Sequence, residues 1–233
     1  MNPELFGKEH ILYIIISTVI GILTILFSCK FAKEEKTKMI ILKIIGILLF
    51  ISIIGNRLSQ VFRYDNARWY LIIPDSYCGM TSLVLSLSVI FGKKDNCALH
   101  FVWLLGLFGG ISTVIYATFV GQGPTIFYLP TITGLLHHSF SALLVIMLLM
   151  FKYIDITYKK WYYTLFGFTC YLTIGAFQMQ IFNMSDAFHI AEPLLDGTPL
   201  TAWVMAPMYA GAYAIILLVI ELVKKYNFKK IYQ

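Results

Sequence analysis

The sequence predicts an all-α polytopic membrane protein with seven transmembrane helices, an N-terminus outside the membrane and a C-terminus in the cytoplasm. Three observations lead to this prediction: seven long apolar runs, linkers that alternate between lysine-rich and lysine-free, and a composition that is 59% hydrophobic and 13% charged over 233 residues. So apolar a composition is typical of membrane proteins and not of soluble globules. We therefore expect one seven-helix domain over residues 1–233, located as a multi-pass protein in the cell membrane.

Each apolar run is long enough to cross a bilayer, because about 20 helical residues at about 1.5 Å each cover about 30 Å of hydrocarbon. The runs are, in order, His10–Cys29, Met39–Phe62, Ile72–Phe91, Cys97–Phe119, Pro130–Phe151, Trp161–Asn183 and Thr201–Val223. The segment before the first run carries Glu4 and Glu9 instead of a positively charged signal region. We expect the first run to be retained as a helix and not cleaved.

The positions of the lysines predict the orientation, since cytoplasmic linkers of membrane proteins are enriched in Lys and Arg. Lysines cluster in alternate linkers and after the last run: Lys30, Lys33, Lys36, Lys38, Lys93, Lys94, Lys152, Lys159, Lys160, Lys224, Lys225, Lys229 and Lys230. The linkers Gly121–Leu129 and Met184–Leu200 contain neither Lys nor Arg. The net charge of +6 is spread over several cytoplasmic segments. This distribution predicts contact with the inner lipid surface and no nucleic-acid partner.

Polar residues concentrate at the outer ends of the predicted helices. Runs two, four and six travel outward and carry Asn56, Arg57, Gln60, Arg63, Ser112, Thr113, Tyr116, Gln178, Gln180 and Asn183 near their ends. Runs three, five and seven travel inward and carry Asp75, Ser76, Tyr77, Cys78, Thr81, Ser82, Thr131, Thr133, His137, His138, Trp203 and Tyr209 near their starts. Because unpaired polar groups are costly in hydrocarbon, the pattern predicts a polar chamber in the outer half of the bundle. The alternative is a hydrogen-bonded plug that only holds the helices together.

Two residues of this chamber have the chemistry of a nucleophile and its base. Cys78 lies about 9 Å into run three and His138 about 12 Å into run five, counted from the same side at about 1.5 Å per residue. An imidazole that removes the thiol proton turns a cysteine into a nucleophile for acyl carbonyls. Adjacent His137 points about 100° away on a helix, so we expect one histidine of the pair to line the chamber and select His138. The alternative is that both residues belong to an ordinary packed core.

Small and polar residues form matching stripes on these two helices. Thr131, Gly134, His138 and Ser141 are spaced by three, four and three residues on run five. Asp75, Cys78 and Ser82 form the corresponding stripe on run three. Residues at such spacings share one helix face, so we expect both stripes to point into the bundle.

Three segments resemble a known family. The segments are LIIPDSYCGMTSLVLSLSVIFGKK at Leu71–Lys94, GPTIFYLPTITGLLHHSFSALLVIM at Gly123–Met147, and FNMSDAFHIAEP at Phe182–Pro193. They resemble the third helix, the fifth helix and the last outer loop of the YwaF family of bacterial integral membrane proteins. That family is similar to the transmembrane protein 164 acyltransferases and, more distantly, to the androgen-induced-gene hydrolases of fatty acid esters.

The resemblance implies a catalytic pair. In the relatives, a Cys (a Thr in the hydrolases) near the outer end of one helix works with a His two helices later, and these positions correspond to Cys78 and His138. One departure concerns the residues before the helix, where many bacterial members have Pro-x-His-x-Cys. This chain has Ser76 at the position of that histidine.

Two other classes of seven-helix protein are excluded by their chemistry. A retinal protein needs a lysine in the middle of its last helix, whereas run seven has Glu221 and Lys224 only at its cytoplasmic end. A seven-helix zinc hydrolase needs histidines at ligand spacing, and no such pair occurs among the five histidines of the chain. We therefore predict no metal and no cofactor. His189, Asp186 and Glu192 in the outer loop are expected to be solvated.

These observations together predict a membrane lipid acyltransferase or acyl hydrolase, with Cys78 as nucleophile and His138 as general base. The predicted substrate-binding residues are Arg57, Arg63, Asp75, Ser82, Gln178 and Asn183. Of these, Arg57 or Arg63 would bind a lipid phosphate, and Ser82, Gln178 and Asn183 are candidate donors to the oxyanion formed during attack. The expected partner is a membrane lipid in the bilayer. The alternative function is non-enzymatic binding or transport of a small polar solute in the same chamber.

Overall fold

The computed structural model describes residues 5–63, 66–117, 123 and 125–231, with side chains described up to residue 226. Seven α-helices follow one another along the chain: α1 Lys8–Phe31, α2 Glu35–Val61, α3 Tyr77–Ile90, α4 Cys97–Ile115, α5 Leu129–Met150, α6 Tyr162–Phe182 and α7 Ala202–Ile231. Short 3-10 turns occur at Trp69–Ile72 and Tyr158–Lys160. The described part of the chain contains no β-strand. The protein is therefore an all-α, multi-pass membrane protein, as the sequence predicts.

Six of the helices are long and apolar enough to cross a membrane, namely α1, α2, α4, α5, α6 and α7. The exception is α3, whose 14 residues cover about 21 Å at about 1.5 Å per residue. The prediction that run three is helical from Ile72 is wrong, because α3 begins only at Tyr77. Pro74 disfavours a helical conformation at the residue before it, and Ser76 caps the helix by accepting a hydrogen bond from the Gly79 N–H. Cys78 is therefore the second residue of its helix.

The other predicted boundaries differ from the helix ends by a few residues. The largest difference is in α7, which continues beyond Val223 to Ile231. Helix α4 ends at Ile115. The predicted end of run four, Phe119, lies outside the described residues. Near the start of α7, Pro207 lies inside the helix.

Helices α2, α3, α4 and α5 form the centre of the bundle, and α5 packs closely against both α2 and α4. Glycines of α4 permit this close approach. A Cβ on Gly110 would lie 2.7 Å from the His138 carbonyl oxygen, and the Ser141 hydroxyl donates to the Gly106 carbonyl over 3.2 Å. Because these α4 residues have no side chains, the face of α5 that carries His138 packs directly against the α4 backbone.

Helix α1 lies at the edge of the bundle, and only His10 and Ser28 of its residues are buried. Among the described residues, three side-chain hydrogen bonds attach its start to the bundle, one of which is donated by the Ile126 N–H to Glu9 Oε2 over 2.8 Å. His10 Nε2 lies 2.9 Å from the Val114 carbonyl oxygen, and the Tyr13 hydroxyl lies 2.8 Å from Ser139 Oγ. The helix is thus held at its first turns while most of its length stays exposed.

The two ends of the bundle differ in chemistry. We call the end at which α1, α3, α5 and α7 begin the site end, and the opposite end the lysine end. At the lysine end, Asp95 accepts hydrogen bonds from the Asp155 N–H (2.8 Å) and the Lys160 ammonium, and its Oδ1 lies 2.7 Å from His100 Nε2. These contacts join the α3–α4 linker to the α5–α6 linker.

Candidate functional site

Cys78 and His138 share one neighbour, Gly109 of α4. A Cβ built on Gly109 would lie 3.2 Å from Cys78 Sγ, so the thiol faces this glycine directly. The His138 side chain lies close to the Gly109 backbone. Cys78 is partly exposed and His138 is buried. The first turn of α3 and the middle of α5 therefore meet at the same point of α4.

His137 also lies inside the bundle, so the two histidines diverge less than ideal helix geometry predicts. Its Nδ1 lies 3.1 Å from Ser82 Oγ, and its ring centroid is 4.2 Å from that of His138. Both rings are buried. The expectation that only one histidine lines the chamber is wrong, because the two rings lie side by side and His137 contacts Ser82 of α3.

The stripe predicted on α5 faces into the bundle, whereas the stripe predicted on run three is not one helix face, because Asp75 precedes α3. Thr131, Gly134, His138 and Ser141 are all buried, and the last two contact α4. On α3, Cys78 faces α4 while Ser82 faces α5. Within the predicted polar chamber, several side chains contact each other in pairs, Asn56 with Thr133, Ser82 with His137 and Arg57 with Asp75.

Arg57 and Asp75 form an ion pair within this site end. The Arg57 guanidinium lies 3.1 Å from Asp75 Oδ1 and donates from Nε to the Leu71 carbonyl over 2.8 Å. The Arg57 side chain is 8% exposed, whereas that of Asp75 is 29% exposed. Arg57 thus fixes the segment that leads into α3, and its charge is directed inward.

The remaining predicted residues lie in three different environments. Gln178 is fully buried and donates through Nε2 to the carbonyls of Ile73 (3.3 Å) and Pro74 (3.4 Å). Asn183 is exposed and ends α6 in a left-handed conformation. Arg63 is exposed just beyond α2. Of the predicted substrate-binding residues, Ser82 contacts His137, and Asp75 and Arg57 contact each other.

The loop between α6 and α7 covers the site end. Phe188 is 1% exposed, its N–H donates to the Asp75 carbonyl over 2.8 Å, and its ring lies 5.5 Å from that of Tyr77 and 5.4 Å from that of Tyr171. Phe188 and His189 both have positive φ angles, 55° and 57°. Left-handed backbone at two successive non-glycine residues is strained and is often found at functional sites.

His189 is less solvated than the sequence suggests. Its Nδ1 lies 3.8 Å from Asp186 Oδ2, and its carbonyl accepts a hydrogen bond from the Ala202 N–H over 2.6 Å. It therefore links the loop to the start of α7.

The sequence analysis identifies neither Gly109 nor Phe188 as a residue of the site. The proximity of Gly109 to both reactive side chains depends on how three helices pack, and a single sequence does not reveal it. Phe188 lies in a loop without apolar periodicity, so no pattern predicts its burial. Its signal was limited to a large aromatic residue in an otherwise polar segment.

Within the described residues, no group of three or more His, Cys, Asp or Glu side chains is arranged to hold a metal ion. Comparison with known proteins gives one result: residues 5–224 match the sequence model of the TMEM164 family. No curated protein and no solved structure matches the chain.

Proposed function

Because the chain belongs to the TMEM164 family, we propose that it is a membrane enzyme that transfers or hydrolyses the acyl chains of lipids. The match covers nearly the whole chain, and six apolar helices hold the protein in the bilayer where such substrates occur. The segments Leu71–Lys94 and Gly123–Met147 favour a bacterial, YwaF-type member of this group. The lysine distribution favours a site end in the outer leaflet.

The observation that supports this proposal most directly is the common contact of Cys78 and His138 with Gly109. A nucleophile and its base must lie within hydrogen-bond reach, directly or through one water, and such contacts are often loose before substrate binds. The absence of a side chain at Gly109 leaves room for the Cys78 thiol, since a Cβ there would lie 3.2 Å from Sγ. His137 and Ser82 support the arrangement by fixing the adjacent turn of α5.

The reaction follows from these two groups. His138 removes the thiol proton of Cys78, and the sulfur attacks the ester carbonyl carbon of a lipid, forming a C–S bond. The ester C–O bond breaks, and the leaving alkoxide takes the proton from His138. In the second half, His138 removes a proton from an acceptor hydroxyl or from water, the oxygen attacks the thioester, and the thiolate leaves.

The start of α3 is suited to stabilising the negative charge of this reaction. Cys78 lies in the first turn, where backbone N–H groups have no partner within the helix and the helix dipole favours an anion. The amide N–H groups of Gln178 already serve two carbonyls, and Asn183 is exposed at the end of α6. Because the Gly79 N–H already donates to Ser76 Oγ, we assign the oxyanion to the N–H groups of Tyr77 and Cys78 in place of these two side chains.

For the lipid phosphate, Arg63 is the better candidate of the two arginines. Arg57 is buried and paired with Asp75, so its charge is already compensated. Arg63 is exposed beyond the end of α2, on the same side of the bundle. A guanidinium there can bind a phosphate in the headgroup region with two parallel hydrogen bonds.

Intact-protein mass spectrometry after reconstitution with phospholipid tests the proposal. We expect an acyl-sized mass increase that hydroxylamine removes, since hydroxylamine cleaves thioesters. The Cys78→Ala protein should lack this adduct, and Cys170→Ala, in which a cysteine of α6 is removed, should keep it. Full lipid activity of Cys78→Ala would show that this thiol is not the nucleophile, and an adduct lost in Cys170→Ala would assign the chemistry to Cys170. Absence of any adduct and of any lipid activity in the parent would support the non-enzymatic alternative.

A further inference from the structure

A cavity of about 470 Å³ lies between α1 and the pair α4–α5. Its volume is within the range of roughly 300–1,000 Å³ that is typical of small-molecule sites. Its walls are almost entirely aliphatic or aromatic, and its few polar groups, Tyr13, Ser17, Thr18 and Ser139, belong to the part nearer the site end. The cavity exists because α1 is fastened at its first turns and leaves a gap behind the rest of its length.

This cavity adjoins the candidate catalytic residues. Gly109 contacts Cys78 Sγ, and the next residue, Gly110, lines the cavity. On α5 the same relation holds, because His138 contacts Gly109 and the next residue, Ser139, lines the cavity. The cavity and the candidate site therefore lie against neighbouring residues of both helices, and Gly110 is the glycine of α4 that lines the cavity.

The length of the cavity fits one acyl chain of one leaflet. Its α1 wall runs from Tyr13 to Ile25, which spans about 18 Å at about 1.5 Å per helical residue. A hydrocarbon core of about 30 Å gives each leaflet a depth of about 15 Å. The cavity thus extends from the polar groups near the site end to about the depth that a lipid chain reaches.

Resting on the proposed function, we propose that this cavity is the subsite for the fatty acyl chain of a lipid in the leaflet at the site end. The ester group then lies next to Gly110, on the side towards Cys78, and the acyl chain lies between α1 and α5. The apolar walls bind the chain without specific polar contacts. The depth of the cavity limits how long a chain can be while its ester carbonyl still lies at the Cys78 thiol.

Gly21 offers a substitution that fills the cavity without disturbing the packing. It lines the cavity, and a Cβ built on it would have no atom within 4 Å. Gly211 of α7 is a matched control, because its Cβ would also meet nothing within 4 Å but the residue does not line the cavity. We would prepare Gly21→Trp and Gly211→Trp in the full-length chain.

The probe is a phosphatidylcholine with a photoreactive diazirine in the middle of one acyl chain, reconstituted in vesicles with each protein. We expect crosslinks on the cavity side of α5, at residues 139–146, in the parent and in Gly211→Trp. In Gly21→Trp these crosslinks should fall by about tenfold, because the indole displaces several buried methylene groups. Crosslinks that are absent there in the parent, or equal in both variants, would overturn the subsite and indicate only bulk lipid around the helices.

Two further measurements separate this proposal from the proposed function. Crosslinking of Cys78→Ala at residues 139–146 should match the parent, because chain binding does not need the thiol; this result supports the subsite even if no acyl adduct is ever observed. Conversely, Gly21→Trp should form the acyl adduct more slowly with long-chain than with short-chain lipid. Equal slowing for all chain lengths, or none, would overturn the subsite while leaving the Cys78 chemistry intact.

Discussion

Cys78 Sγ lies 3.2 Å from the position that a Cβ would occupy on Gly109. That distance is shorter than an ordinary side-chain contact, so Gly109→Ala must displace the thiol by a few tenths of an ångström. We expect acyl-adduct formation to slow by about tenfold, since small misplacements of reacting groups have large effects on rate. Gly55→Ala is the control, because its Cβ would lie at an ordinary 3.6 Å from Thr133 Cγ2. Equal adduct rates in the two variants would show that the thiol does not depend on this space.

Substitution of His138 should slow acylation of Cys78 much more than substitution of His137. His138→Ala should slow acylation by about 10²- to 10⁴-fold, the usual contribution of a general base. His137→Ala removes one hydrogen bond to Ser82, which contributes about 1 kcal/mol, and should slow acylation by no more than about tenfold. Single-turnover kinetics of adduct formation measure both. A larger loss in His137→Ala, with the thermal stability of both variants equal, would assign the base to His137.

The sequence predicts the inward face of α5 well because helical periodicity alone determines which residues share a face. It identifies the stripe through His138 without any knowledge of the neighbours. It does not predict that Arg57 pairs with Asp75 or that Cys78 Sγ faces Gly109, because these contacts join segments that are separated in the chain. Pro74 and Ser76 indicate that α3 starts late, at Tyr77. The apolar residues before them instead predict a start at Ile72.

The Arg57–Asp75 pair should be asymmetric in its contribution to stability. Asp75→Ala leaves a buried guanidinium without its counter-charge and should destabilise the protein by about 3 kcal/mol, as breaking buried ion pairs does. Arg57→Met should cost less, because the Asp75 carboxylate is more exposed and water can reach it. The double variant should be more stable than Asp75→Ala alone, since no unpaired charge remains. Thermal unfolding in one detergent tests the order, and a double variant less stable than either single one would contradict it.

The contacts of Asp95 at the lysine end should make the stability of the folded protein fall in acid. Burial acts to raise the pKa of Asp95, but the Lys160 ammonium, the Asp155 N–H and His100 outweigh it and lower the pKa below its usual value. A carboxyl whose pKa is lower in the folded state stabilises the fold above its unfolded pKa, about 3.9, and loses that contribution as pH falls through the folded value.

Asp95→Asn should therefore have a lower melting temperature than the parent at neutral pH, and the difference should shrink below about pH 4. Asp196→Asn, in the exposed loop at the site end, is the control and should leave the melting temperature unchanged. The measurement is thermal unfolding in detergent across this pH range. A difference between Asp95→Asn and the parent that stays constant down to acid pH would show that hydrogen bonding and not ionisation carries the effect.

Phe188 should limit access to Cys78. Its ring is buried against Tyr77, the residue before Cys78, and its N–H is bonded to the Asp75 carbonyl, so the loop closes the site end directly above the start of α3. Phe188→Ala removes the ring but keeps the backbone bond. We expect the rate at which a water-soluble maleimide labels Cys78 in the purified protein to rise by about tenfold, as the removal of the ring weakens loop closure by more than 1 kcal/mol.

Leu195→Ala provides the matched control for this measurement, because Leu195 lies in the same loop and is 46% exposed. Its substitution should leave the labelling rate of Cys78 unchanged. Labelling is followed by peptide mass spectrometry, so that Cys29 and Cys97, which are exposed at the lysine end, serve as internal standards. If Phe188→Ala accelerates labelling of all three cysteines equally, the substitution has loosened the whole bundle. Acceleration confined to Cys78 supports the loop as the barrier that a substrate must displace to reach the thiol.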